Sequence, residues 1–145
     1  GQEPVDTDEL ETPDWLFDQL RSIFNFSFDA AASAMNHKCT IWSGDSLDKN
    51  WKEITLGGVV WLNPPYSNPG PFLSKAVGES HRGVTTVALI KGDPSTRWWR
   101  VFVEGVATIV WIPNRIRFHL NGEPTKYPAS FPSVLAIYWG VKWKP

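Results

Sequence analysis

The chain is poor in the residues that staple or metallate small proteins. It has one cysteine and one methionine in 145 residues. A lone Cys39 excludes an internal disulfide framework and a cysteine-rich zinc site, and it favours a reducing compartment. The three histidines, His37, His81 and His119, stand far apart without metal-ligand spacing, so no metal is expected. Charge is sparse as well: 20% of residues are charged and the net charge is −1, which excludes disorder by charge. Apolar runs are short and interrupted and the opening GQEPVDTDELET is acidic, so no membrane span, signal peptide or transit peptide is expected. The sequence has no GxxxxGK(S/T) phosphate cradle and no GxSxG nucleophile elbow. Cys39, in His37-Lys38-Cys39-Thr40, lacks the preceding proline of a cytosine-C5 nucleophile and reads as a packing residue.

What is present is aromatic and heavily punctuated. Nine Trp, twelve Pro and eleven Gly accompany a hydrophobic content of 42%, enough for one buried core. We expect a loose acidic segment over residues 1–11 and a single domain over 12–145. The charge is polarised: residues 1–75 hold five Lys/Arg against eleven Asp/Glu, and 76–145 hold nine against four. The balance moves from −6 to +5, which allows a polyanion-facing surface if the basic half gathers on one side.

Thr12-Pro13-Asp14 reads as a helix start with Thr12 as N-cap, and Trp15, Leu16, Leu20, Ile23 and Phe24 continue it at helical spacing over 13–24. Phe26–Asp29 alternates like a strand, and Ala30–Met35 favours helix. Gly57-Gly58 precedes the apolar run Val59–Leu62, a strand buried on both faces that must stop at Pro64-Pro65. Helices are expected at 71–82 and 94–104, the second capped by Asp93, and strands at 85–90, 106–112 and 134–139. Strands alternating with helices predict an α/β sandwich with a mostly parallel sheet, helices on both faces and an antiparallel element near the end. Ligands of such sheets sit beyond the carboxyl ends of the strands, where Asp29 and Asn63 both fall.

Asn63-Pro64-Pro65-Tyr66 carries the chemistry. An exocyclic aromatic amine is a poor nucleophile because its lone pair is delocalised into the ring. The Asn63 side-chain oxygen and the Pro64 carbonyl can each accept one of its hydrogens, drawing the nitrogen toward tetrahedral geometry. Proline holds that carbonyl steady and offers no competing N–H. Tyr66 offers a face for stacking a base flipped from a duplex, worth about 1–3 kcal/mol. The plainer reading is a Pro-Pro turn that ends a strand.

Two later stretches are candidates for nucleic-acid contact. Lys91, Ser95 and Arg97 stand where phosphates meet a helix start, with Trp98 or Trp99 available for stacking; capping and core packing are the competing roles. Arg115, Arg117 and His119 share one face of an extended segment, with Lys126 on the turn that follows. Phe131-Pro132-Ser133 precedes the last strand and borders the cofactor or target pocket.

These residues, in this order, resemble the phage and prophage Dam-like DNA N6-adenine methyltransferases, small members of the NPPY-type amino-methyltransferases. The resemblance runs from Thr12 to Tyr138 through Thr12–Phe17, Phe28–Ala32, Asn36, Lys38, Asp45, Trp61–Tyr66, Lys91–Trp99, Arg115–Phe118 and Phe131–Ser133. It implies a Rossmann-like fold, S-adenosylmethionine as cofactor, and double-stranded DNA with a GATC-like target. It places Thr12, Pro13 and Trp15 near the cofactor's methionine portion, Asp29 and Ala30 at the strand end that cups it, and Asp45 toward its adenosine. The glycine-rich loop of larger methyltransferases is replaced by Ala31-Ala32-Ser33, which still allows close backbone approach. A bacterial host cytoplasm and a role in phage DNA protection follow from the same resemblance. So small a domain must read sequence through loops 113–130 or through a second subunit in a homodimer. Two other readings stay open: an NPPY enzyme acting on RNA adenine or a glutamine amide, and a non-catalytic nucleic-acid-binding module on the same fold.

Overall fold

A computed structural model describes residues 6–141. After a single 3-10 turn at Thr7–Glu9 come α1 (Asp14–Arg21), β1 (Phe26–Asp29), α2 (Trp51–Thr55), β2 (Val59–Leu62), α3 (Gly70–Ser80) and β3 (Thr85–Lys91). They are followed by α4 (Arg97–Phe102), β4 (Thr108–Trp111), the two-residue strands β5 (His119–Leu120) and β6 (Glu123–Pro124), and β7 (Ser133–Tyr138). Five strands form one sheet in the order β1-β2-β3-β7-β4, and β5 and β6 form a separate hairpin. The β1–β2 and β2–β3 pairs are parallel, whereas β7 is antiparallel to both β3 and β4. The protein is therefore mixed α/β, with β7 alone running against the other four strands of the main sheet.

Alternation along the strands divides the core in two. Val60 and Leu62 of β2, Ala88 and Ile90 of β3, and Val134, Ala136 and Tyr138 of β7 face α2, α3 and α4. Trp61, Val87, Leu89, Leu135 and Ile137 face α1 and the aromatic segment around Ile116 and Phe118. All six residues of β7 are buried, as a central strand requires. β4 is an edge strand and is mostly exposed.

Several local expectations are corrected. Pro13, not Thr12, occupies the N-cap of α1, without a side-chain cap bond, because the Thr12 hydroxyl is engaged elsewhere. The helix ends at Arg21, and Ile23 and Phe24 lie in the turn that closes on the Leu20 carbonyl. Ala30–Met35 is not helical: Asp29 and Ala32 donate their N–H groups to Ile41 and Ser43, and tertiary pairing overrides propensity. α4 starts at Arg97 under a Thr96 cap, while Asp93 closes the preceding turn by accepting the Ser95 N–H. Asn121-Gly122, both at positive φ, make the β5–β6 hairpin turn. The five-residue α2 is too short to show a period, yet Asn50 caps it and its Trp51 is fully buried.

The amino-terminal segment expected to be loose is held from Asp6 onward; residues 1–5 of it lie outside the described residues. Asp6 caps the 3-10 turn, and Glu11 exchanges two backbone hydrogen bonds with His119. Among the described residues no helix is long and apolar enough to cross a membrane.

The end of β7 closes tightly on the start of β3, where the Gly140 N–H donates to Thr85 Oγ1. A Cβ at Gly140 would lie 2.3 Å from the Gly83 carbonyl oxygen, with backbone rather than a flexible side chain in the way. Gly140→Ala is expected to destabilise the fold by about 1–3 kcal/mol in urea denaturation.

Candidate active site

Parallel pairing brings the carboxyl ends of β1, β2 and β3 to one edge of the sheet. Asp29 is in register with Trp61, Leu62 with Ala88, and Lys91 with Ser133 at the start of β7. Asp29, Asn63 and Lys91 therefore leave the sheet at the same end, in a stagger that steps along from β1 to β3. Two prolines end β2 immediately after Asn63, and the Pro65 carbonyl accepts the Asn68 N–H to close the loop.

Asn63 is held at one end of its amide only. Nδ2 donates to Thr12 Oγ1 at 3.1 Å, while Oδ1 is buried with no hydrogen-bond partner. Such an acceptor is costly to leave unpaired. Asp29 shows the same asymmetry. It is 3% exposed, Oδ2 accepts the Lys38 N–H at 2.7 Å, and Oδ1 is buried without a partner. Burial pushes its carboxyl up to about 6, against the opposing pull of the Lys38 and Ala31 N–H groups and the His37 and Lys38 charges.

A cleft of about 370 Å³ opens beside β1, lined by residues that include Asp8, Glu11, Ala31, Asn36 and Asn121. Its wall near β1 carries the small side chains Ala31 and Ala32, both half-buried, with Ala30 fully buried behind them. Ser46 donates its hydroxyl to the Ala30 carbonyl and pins the loop that carries the exposed Asp45. Pro13 is buried next to Thr12, and Trp15 lies half-exposed on α1.

Tyr66 is buried rather than displayed. Its ring meets Phe118 and Phe131 edge-on, at 5.9 and 5.5 Å between centroids, and the Lys91 ammonium sits 4.6 Å from the Phe131 ring centre. The Tyr66 hydroxyl has no partner, and burial pushes it well above the ordinary tyrosine range. A second cleft, of about 290 Å³, lies beyond this aromatic cluster between Leu10, Phe118 and residues 125–131.

The remaining candidates divide. Arg115 and Arg117 are exposed between the buried Ile116 and Phe118, as the alternation predicts. Arg117 donates to the Thr125 and Lys126 carbonyls and so shapes the loop that bears Lys126. Ser95 and Arg97 are exposed, but Trp98 and Trp99 pack into the core on the α3–α4 face, across the sheet from Tyr66. Asp8 and Ser67 had no recognisable signal, since Asp8 is one acid among many near the start of the chain. They nonetheless fasten the far side of the loop, with the Ser67 N–H donating to Asp8 Oδ1 at 2.8 Å.

A family model described as DNA N-6-adenine-methyltransferase (Dam) matches residues 3–142. The DNA N-6-adenine-methyltransferase of Haemophilus phage HP1 (strain HP1c1) is 36% identical over 129 residues, covering 83% of this chain and 72% of that relative. The protein of the same name from Escherichia phage T1 is 31% identical over 100 residues, covering 68% of this chain and 41% of that relative. The chain belongs to the Dam family. Against the T1 relative it spans less than half the length.

A Dam methyltransferase needs a methyl donor, and the side chains present fit one. Asp29 Oδ1 is a buried acceptor without a partner, and the small Ala31 and Ala32 line the cleft beside β1. Among the described residues no group of three or more His, Cys, Asp or Glu could hold a metal.

Two measurements follow from these unpaired atoms. A carboxyl whose folded value is raised to about 6 from 3.8 contributes stability below pH 4 that is lost as pH rises through 6. Asp29→Asn is therefore expected to gain on the wild type between pH 4 and pH 7.5, by up to about 3 kcal/mol in ligand-free denaturation. Tyr66→Phe deletes a buried hydroxyl that makes no bond, and its unfolding free energy is expected to rise by about 1 kcal/mol.

Proposed function

We propose that this enzyme transfers a methyl group from S-adenosylmethionine to the N6 amine of an adenine flipped out of double-stranded DNA. The observation that carries the reading is Asn63 Oδ1, a buried acceptor without a partner at the end of β2, inside Asn-Pro-Pro-Tyr. Asn63 Oδ1 and the Pro64 carbonyl accept the two amine hydrogens and orient its lone pair. Preorganised acceptors at a nitrogen that gains positive charge act as an oxyanion hole does, with the sign reversed. S-adenosylmethionine, when bound, supplies an activated methyl on a positive sulfonium.

The five-stranded sheet, with helices on both faces and one reversed strand, fits a Rossmann-like methyltransferase sandwich. In that frame Asp29, Ala30 and Ala31, with Pro13, Trp15 and Asp45, hold the cofactor, while Thr12, which the family resemblance sets beside them, is bonded to Asn63. Pro65 keeps the loop rigid. Tyr66 stacks on the base only after its ring is released from Phe131, so base entry involves a rearrangement of the cluster that includes Phe118 and Lys91. Lys91, Ser95, Arg97, Arg115, Arg117 and Lys126 contact phosphates or base edges. Trp98 carries no such role in this arrangement, since it lies on the other face of the sheet. A GATC-like target, action in the bacterial host cytoplasm and reading by loops 113–130 or a second subunit are carried over from the family resemblance.

Labelled methyl transfer from S-adenosylmethionine to unmethylated duplex DNA tests the reading. N6-methyladenine is expected with the wild type, and Asn63→Ala is expected to lower its formation by at least about 100-fold while duplex binding persists. Methyl incorporation into RNA or protein instead of DNA would overturn the substrate assignment.

A further inference from the structure

The catalytic loop is fastened at both ends by one short stretch of chain. Thr12 accepts from Asn63 Nδ2 at one end, and Asp8 accepts from the Ser67 N–H and hydroxyl at the other. The same stretch is tied to the β5–β6 hairpin, through Glu11 to His119 and through Glu11 Oε1, which accepts the Gly122 N–H.

Thr12 is 2% exposed, so water does not compete for Asn63 at that position. An asparagine amide has an accepting end and a donating end that are nearly equal in shape. With Nδ2 turned to Thr12, Oδ1 points elsewhere and is buried without a partner. Turned over, the amide would set its own N–H groups against an incoming NH₂, donor against donor. Which end of the amide is left free therefore decides whether the residue attracts the amine or repels it.

We propose that Thr12 is a positioning residue whose hydroxyl anchors the Asn63 side chain through Nδ2, which leaves Oδ1 for the methyl-accepting amine. This rests on the function proposed above. It moves Thr12 from the cofactor's side of the site, where the family resemblance puts it, to the acceptor's side. Asp8 completes the device by fixing the outer end of the loop, so that the amide cannot turn by displacing its own backbone.

The test uses the full chain with Thr12→Val, which removes the hydroxyl at similar shape, and Thr12→Ser, which keeps it. With S-adenosylmethionine and duplex both saturating, Thr12→Val is expected to lower kcat by about 100-fold. Each KM should stay within about 3-fold of the wild type, and Thr12→Ser should recover most of the rate. A readout independent of turnover is the side-chain amide resonance of Asn63 in isotope-labelled protein, assigned by its loss in Asn63→Ala. It should shift in Thr12→Val and hold its position in Thr12→Ser.

An unshifted amide signal in Thr12→Val overturns the proposal, as does a loss confined to the KM for S-adenosylmethionine, which would leave Thr12 serving the cofactor alone. If the wild type methylates no acceptor while the amide signal still depends on the Thr12 hydroxyl, the anchor stands and the functional reading fails.

Discussion

Parallel pairing of β1, β2 and β3 is the constraint on which the site depends. Each of these strands ends at the same end of the sheet, so residues distant in sequence leave it on one side in a stagger: Asp29, Asn63 and Lys91. An antiparallel arrangement would have sent alternate strand ends to opposite edges and separated the carboxylate from the amide. The reversed β7 does not spoil the arrangement, because it brings its beginning rather than its end to that edge, and Ser133 joins the same row. Sequence-adjacent prolines then stop β2 without a long loop, which leaves Asn63 close to the sheet that positions it.

The polar atoms at this edge follow a different rule from those in the rest of the core. Elsewhere, apart from Thr86 Oγ1 near the start of β3, the buried side-chain polar atoms of the described residues are paired: the Trp51 indole N–H donates to the Ser46 carbonyl and the Tyr138 hydroxyl to the Phe102 carbonyl. Glu79 is buried on α3 yet takes Lys75, Arg82 and the Lys52 N–H. At the strand ends Asp29 Oδ1, Asn63 Oδ1, Tyr66 Oη and Ser133 Oγ have no partner. Four of the five unpaired buried atoms thus lie in one region, which is the pattern expected of a site that pairs them with a polar ligand.

Much of this was legible in the sequence, and the reasons are specific. Val59–Leu62 and Thr85–Ile90 are apolar runs bounded by turn residues, so their strands and their ends could be placed, and with them Asn63, while the alternation of Phe26–Asp29 placed Asp29. Asn63-Pro64-Pro65-Tyr66 carried both a chemical argument and a family. Contacts that depend on tertiary packing were not legible. Thr12 looked like a helix cap because its hydroxyl has no sequence mark that says Asn63 will claim it. Ala30–Met35 looked helical because propensity does not register the pairing of Asp29 and Ala32 with residues 41–43. Trp98 and Trp99 could not be apportioned between core and surface until the sheet face they pack on was known.

The short stretch from Asp8 to Thr12 has a consequence for how the molecule is made. It precedes everything it fastens: Ser67 follows Asp8 by 59 residues, and Gly122 follows Glu11 by 111. A growing chain can therefore pair Thr12 and Asp8 once Asn63 and Ser67 have been made, whereas Glu11 must wait for the β5–β6 hairpin. The first three strands of the sheet are complete by Lys91, well before the hairpin that Glu11 grips has been made. A truncated or stalled product can hold those strands and the Asn-Pro-Pro-Tyr loop, but without Gly122 it cannot close the strap that joins that loop to the hairpin.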